Sequence, residues 1–154
     1  MAITPFAPEI IGNNVHLEVA APGAGANLSV VLPTTPNAGT LWILDFVRFL
    51  FTTDATVVSR SVALATRNVA NTLNVYEMNT LLTTVQLASV ANSWLWYRNL
   101  PLREYPVESN QLRVWMPTVI LLPGERLVTS IANLQAGDAL TNVIVCYREY
   151  RVTA

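Results

Sequence analysis

Apolar residues in this chain fall into short runs set apart by turn-forming residues. Val15, Leu17 and Val19 alternate with Asn14, His16 and Glu18. That period of two predicts a strand with one buried face. Pro22-Gly23-Ala24-Gly25 then breaks the chain, and Leu28 to Leu32 predicts a second strand. The turn-rich stretch Pro33 to Gly39 ends it. Two such breaks so close together leave no room for a long helix. Leu41 to Phe51 is long and apolar at both parities, so it predicts a central strand covered on both faces. Asp54 marks a turn, and Thr56 to Thr66 predicts another strand.

Further on, Gln111, Arg113 and Trp115 alternate with Leu112, Val114 and Met116. Pro117 interrupts that run and marks a strand end or a sheet edge. Ile120-Leu121-Leu122 leads into Pro123-Gly124-Glu125, where Pro followed by Gly suits a type II turn. Arg126 to Ala132 and Thr141 to Tyr150 predict the last two strands, joined by the turn Gln135-Ala136-Gly137-Asp138. The segment from Met78 to Ala88 reads two ways. Met78, Leu81, Leu82, Val85 and Ala88 share a helical face, whereas Thr83, Thr84 and Val85 are β-branched and favour a strand or an irregular loop. Many short strands with turns between them point to an all-β sandwich or barrel, and an antiparallel β-sandwich is the expected class. The expected layout is an extended N-terminal arm over residues 1–12 and one sandwich domain over residues 13–154.

Composition changes the picture in one respect. Apolar residues make up 52% of the chain and charged residues only 12%, against about 25% in an ordinary soluble domain. All nine basic residues are Arg and none is Lys. Arg without Lys at low total charge matches the make-up of protein–protein contact surfaces. Genome-level coding bias also favours Arg over Lys, but it explains the low total charge less well. The net charge of −1 comes without a basic stripe, so no nucleic-acid partner is expected. Leu41 to Phe51 is too short for a membrane helix and holds Asp45 and Arg48. Met1 to Pro5 shows no signal-peptide pattern, so synthesis in a cytoplasm is expected.

Candidate chemistry is sparse. One His and one Cys, far apart in sequence, leave no metal cluster and no cofactor motif. A catalytic triad would have to use His16, which sits on the polar side of its strand, and no Gly-x-Ser-x-Gly elbow accompanies it. Cys146 lies in an apolar run and reads as a buried, unreactive thiol. Glu104 and Glu108 could form a carboxylate pair, but Arg98 and Arg103 nearby make solvated loop charges or ion pairs the plainer account. No enzyme activity, cofactor or metal is therefore expected. The aromatic cluster Trp94, Trp96 and Tyr97, with Arg98 beside it and Trp115 further on, is open to three readings: core packing, a protein interface, or a sugar-stacking platform. Tyr150 and Arg151 end the last strand, at a partner or at a solvated edge. These seven residues form the candidate interface.

The run from Ile120 to Leu127, the turn Ala136-Gly137-Asp138 and the strand Val143 to Tyr150 together resemble the last strands of a viral jelly roll. They are similar in particular to small decoration, or cement, proteins of tailed-phage capsids. The likeness covers mainly residues 110–152. It implies a jelly-roll protein of the virion, bound to the capsid exterior as a homo-oligomer, a trimer or dimer. Its partner would be the major capsid protein, whose neighbouring subunits it would hold together. A sugar- or receptor-binding module of a spike or tail is the alternative that the aromatic cluster leaves open.

Overall fold

The computed structural model describes residues 9–10, 15–31, 40–70, 72–79, 86–98 and 110–151. Eleven strands and no helix occur among them. In chain order they are β1 (Glu9–Ile10), β2 (Val15–Val19), β3 (Ser29–Val31), β4 (Thr40–Thr52), β5 (Val62–Arg67), β6 (Asn74–Asn79), β7 (Ala91–Tyr97), β8 (Gln111–Trp115), β9 (Ile120–Leu121), β10 (Arg126–Ile131) and β11 (Ala139–Arg151). Of the expected arm, Glu9–Ile10 is described and pairs with the end of β11. The rest of residues 1–12 lies outside the described residues.

Eight of the strands pair in a nested order. The antiparallel pairs are β2 with β11, β3 with β10, β4 with β7, and β5 with β6. First meets last, second meets second-last, and so inward, as in one long hairpin. The pairs β11·β4 and β10·β5 then roll that hairpin into two sheets. One sheet has the path β1-β11-β4-β7-β8, with β2 on β11 and β9 on β4; the other has the order β3-β10-β5-β6. The pair β7·β8 is parallel, which strand patterning alone did not anticipate.

The core fills the space between the sheets. Trp42, Leu44, Val47, Phe49 and Phe51 of β4 face Leu28, Val62, Leu64 and Leu127, all of them buried. Burying each such side chain contributes roughly 1.5–3 kcal/mol. Trp94 and Trp96 stack at 5.5 Å, and Phe49 stacks on Trp96 at 5.3 Å. Trp94 Nε1 donates to Gln86 Oε1 at 2.9 Å, so its polar edge is satisfied inside the core.

Strand β4 differs from expectation. Only one of its faces is core; the other is half-buried and carries an exposed Arg48. The second sheet packs on one side only, so the apolar residues of the opposite parity, such as Ile43 and Leu50, lie on an outer face. Two bulges interrupt β4·β11. Cys146 pairs with Phe46 and Tyr147 with Leu44, which leaves Asp45 as an extra residue. Asn142 and Val143 together oppose Phe49, and Asn142 takes φ 51°. Such bulges bend a strand and re-aim its side chains.

The expected strand from Thr56 to Thr66 begins only at Val62. The residues before it form a loop because Arg60 holds them there. Its Nη1 donates to the carbonyls of Thr56 and Val58, each at 2.8 Å. Nε and Nη2 donate to Asp138 at 3.1 and 3.0 Å, and Nη2 also donates to Asp54 at 2.6 Å. All five guanidinium donors are therefore used, on a side chain with no exposure. Asp138 in turn accepts from the backbone N–H groups of Asp54 and Gln135, and its carbonyl accepts from Gly25. One ionic clamp thus ties the β2–β3, β4–β5 and β10–β11 connections at a single end of the sandwich.

At the opposite end, Gly124 takes φ 85° as the Pro-Gly pattern requires. A Cβ there would lie 3.0 Å from Val69. The ambiguous segment resolves only at its borders. Met78 is buried in β6 and Gln86 bridges Arg60, while Leu81, Leu82 and Val85 lie outside the described residues.

The carboxyl of Asp54 is held below its ordinary range, first by the Thr56 N–H and further by Arg60. What it contributes to stability is present above about pH 4 and is lost as pH falls through the lowered folded value. Asp138 should matter more. Removing one member of a buried ion pair costs about 3–5 kcal/mol. Urea unfolding of Asp138→Ala should show a loss of that order, and Asp54→Ala a smaller one, because that carboxylate is partly exposed. Two equal, slight losses would contradict the clamp.

Candidate functional site

The outer face of the larger sheet gathers the residues most suited to meet a partner. Strand register places them in rows. One row runs His16, Cys146, Phe46, Tyr97 and Trp115 across β2, β11, β4, β7 and β8. At about 4.8 Å per strand it spans roughly 19 Å. Its neighbour runs Glu18, Ile144, Arg48, Leu95 and Arg113. His16 meets Phe46 edge-on at 5.6 Å. Trp115, at the β8 edge, is 65% exposed.

The Asp45 bulge supplies the polar part of this face. Arg148 grips the Asp45 carboxylate with two donors, Nε at 3.0 Å and Nη2 at 2.9 Å. Arg98 Nη2 donates to the same carboxylate at 2.9 Å, and the Arg98 backbone N–H donates to the Asp45 carbonyl. Two guanidinium charges thus face one carboxylate. Arg98 Nε is buried and has no acceptor. Arg48 Nε donates to Ser93 Oγ at 3.2 Å.

The candidate interface residues separate on this geometry. Trp94 and Trp96 share a face, as strand alternation requires, but it is the core face, and neither has any exposure. Both belong to the core and not to the expected interface: the second sheet covers them, so no partner reaches them. Tyr97, Arg98 and Trp115 come together on the outer face. Tyr150 is also on that side but buried, opposite Leu41 of β4 and Ile10 of β1. The backbone of Arg151 pairs with Glu9 and Thr40, and its side chain lies outside the described residues. Glu104 and Glu108 lie outside them too. Asp45 and Arg148 were missing from the candidate set. The signal for Asp45 was present, since it and Arg48 are the two charges in the apolar run from Leu41 to Phe51.

Among the described residues no group of three His, Cys, Asp or Glu could hold a metal ion. No helix among them is long and apolar enough to cross a membrane. Cys146 is buried in the aromatic row, and desolvation, with the Asp45 charge second, pushes its thiol up to about 11. That value leaves little thiolate near neutrality.

The nested pairing and the two sheet orders define a jelly-roll β-sandwich. No protein-family model matches the chain, and no curated protein matches it. The chain is similar to a solved structure described as that of infectious bursal disease virus Gx strain. The likeness covers 96% of this chain and 35% of that one, at 12% identity and a TM-score of 0.26. A TM-score of that size establishes no common fold, and the jelly-roll order here stands on this chain's own pairings.

Iodoacetamide at pH 8 should leave Cys146 unmodified in the folded protein and alkylate it rapidly in urea. Alkylation of the folded protein at the rate of a free thiol would show that the thiol is open to solvent.

Proposed function

We propose that this chain is a structural protein of a virion. It binds the outside of an icosahedral phage capsid and strengthens contacts between major capsid subunits. The observation that carries this reading is the outer face of the larger sheet. It is broad, half apolar, edged by an exposed Trp115, and its cations are all Arg. A rolled sandwich tied at one end by a saturated ionic clamp makes a stiff block on which to present such a face. Burial of apolar surface contributes roughly 25 cal/mol per Å² before the costs of association. Repetition over a shell adds avidity without strong single contacts. Self-association into a dimer or trimer fits the same scheme, because it would cover edge strands such as β8, which pairs on one side among the described residues.

A sugar- or receptor-binding role in a spike or tail is the second reading. Its support moves from the buried Trp94 and Trp96 to Trp115. Beside Trp115, Arg113 donates twice to Gln111 Oε1, forming a flat polar pair.

The test is co-sedimentation with expanded, undecorated phage shells. The protein should pellet with assembled shells, saturate, and ignore free coat subunits. A protein that stays in the supernatant at every shell concentration does not have this function.

A further inference from the structure

We propose that the outer face of the larger sheet is the docking surface, and that the partner meets it with a carboxylate set beside an apolar side chain. This rests on the reading that the chain binds a protein shell, and adds which face does so and what chemistry it meets.

The argument starts from an imbalance. Among the described residues Arg98 and Arg148 share the one carboxylate of Asp45, so the cluster they form carries one positive charge in excess. Arg98 is largely buried already, and its Nε has no acceptor. Any partner that covers this face removes the remaining water from the cluster. An uncompensated guanidinium would then be costly, whereas a partner carboxylate would satisfy it with charge-assisted bonds. The face therefore selects against neutral and cationic partners and for an acidic one.

The apolar half of the match follows from sequence neighbours. Arg98 follows Tyr97, and Asp45 precedes Phe46. Tyr97 pairs across β7·β8 with the exposed Trp115. A partner carboxylate at Arg98 thus places the atoms beside it over an aromatic row. The ionic cluster at the end of the sandwich offers a contrast. Arg60 has all five donors bonded and faces two carboxylates, so that cluster has nothing left for a partner to complete.

The test has two arms. The first uses 3-phenylpropionate, a carboxylate next to a ring, and 3-phenylpropan-1-ol, the same ring without charge. Both are titrated into 15N-labelled protein while the Arg98 Nε–H and Trp115 Nε1–H resonances are followed. The propionate should shift both in a saturable way, and the alcohol should not. No saturable shift, or equal shifts from both compounds, overturns the proposal. Tighter, saturable binding of oligogalacturonate at the same resonances also overturns it, in favour of a glycan. The second arm repeats shell co-sedimentation with Arg148→Gln, Trp115→Ala and, in the exposed loop at the Arg60 end of the sandwich, Val57→Ser. The first two should weaken binding by about tenfold or more, and Val57→Ser should not. Should Arg148→Gln fail to fold, Arg48→Gln on the same face takes its place. Shell binding that is equal in all variants overturns this face and leaves the shell as partner. A wild-type protein that ignores shells but binds the propionate at Arg98 overturns the shell and supports the face.

Discussion

Arg60 is the point on which the fold closes. A guanidinium without exposure is tolerated only when its charge is balanced and its donors are bonded. Here both conditions are met by groups drawn from distant parts of the chain. Asp138 precedes the last strand, Asp54 follows the longest strand of the first half, and the Thr56 and Val58 carbonyls come from the loop between. The clamp joins the β4–β5 and β10–β11 connections, so it forms where the pair β11·β4 of one sheet faces the pair β10·β5 of the other. It therefore reports the rolled topology and locks it. The Gln86–Arg60 bridge ties the connection into β7 to the same point. Gln86 also takes the indole N–H of Trp94, so the clamp joins the aromatic core directly.

A sandwich fixed this way has one inner and two outer surfaces, and the outer face of the larger sheet is the unusual one. Its aromatic row is half-buried by its own neighbours, and its bulge at Asp45 brings two Arg to one acid. The two ionic clusters thus have different characters. In the one at the end of the sandwich every Arg60 donor is bonded and two carboxylates face one guanidinium, so it acts on the fold. The one on the sheet is one anion short and is suited to act on something outside. The proposed docking face rests on that difference.

Much of the architecture was legible in the sequence. The period-two pattern of Val15 to Val19, the Pro123-Gly124 turn and the strands after it all stand where the residues placed them, which gives an all-β sandwich; the jelly-roll type came from the resemblance over residues 110–152. Other features were hidden for physical reasons. Thr56 to Thr66 has the composition of a strand, but a clamp between residues 78 positions apart turns its first half into a loop. Trp94 and Trp96 alternate correctly, yet alternation does not say which face is the core. Leu41 to Phe51 looks apolar on both faces because its outer face is itself half-buried and carries Leu41, Ile43, Phe46 and Leu50. Asp45 was visible as a charge in an apolar run, but the bulge that makes it a hub depends on the register of β11.

Native-state hydrogen exchange tests the clamp as the closing element most directly. The amides of Gly25, Asp54, Arg60, Gln86 and Gln135 all donate into it or beside it. They should exchange together, with the protection of the β4 and β11 core amides, although all five lie outside the strands of the two sheets. Exchange of each at its own fast, loop-like rate, while the sheets remain protected, would show that the sandwich closes without Arg60.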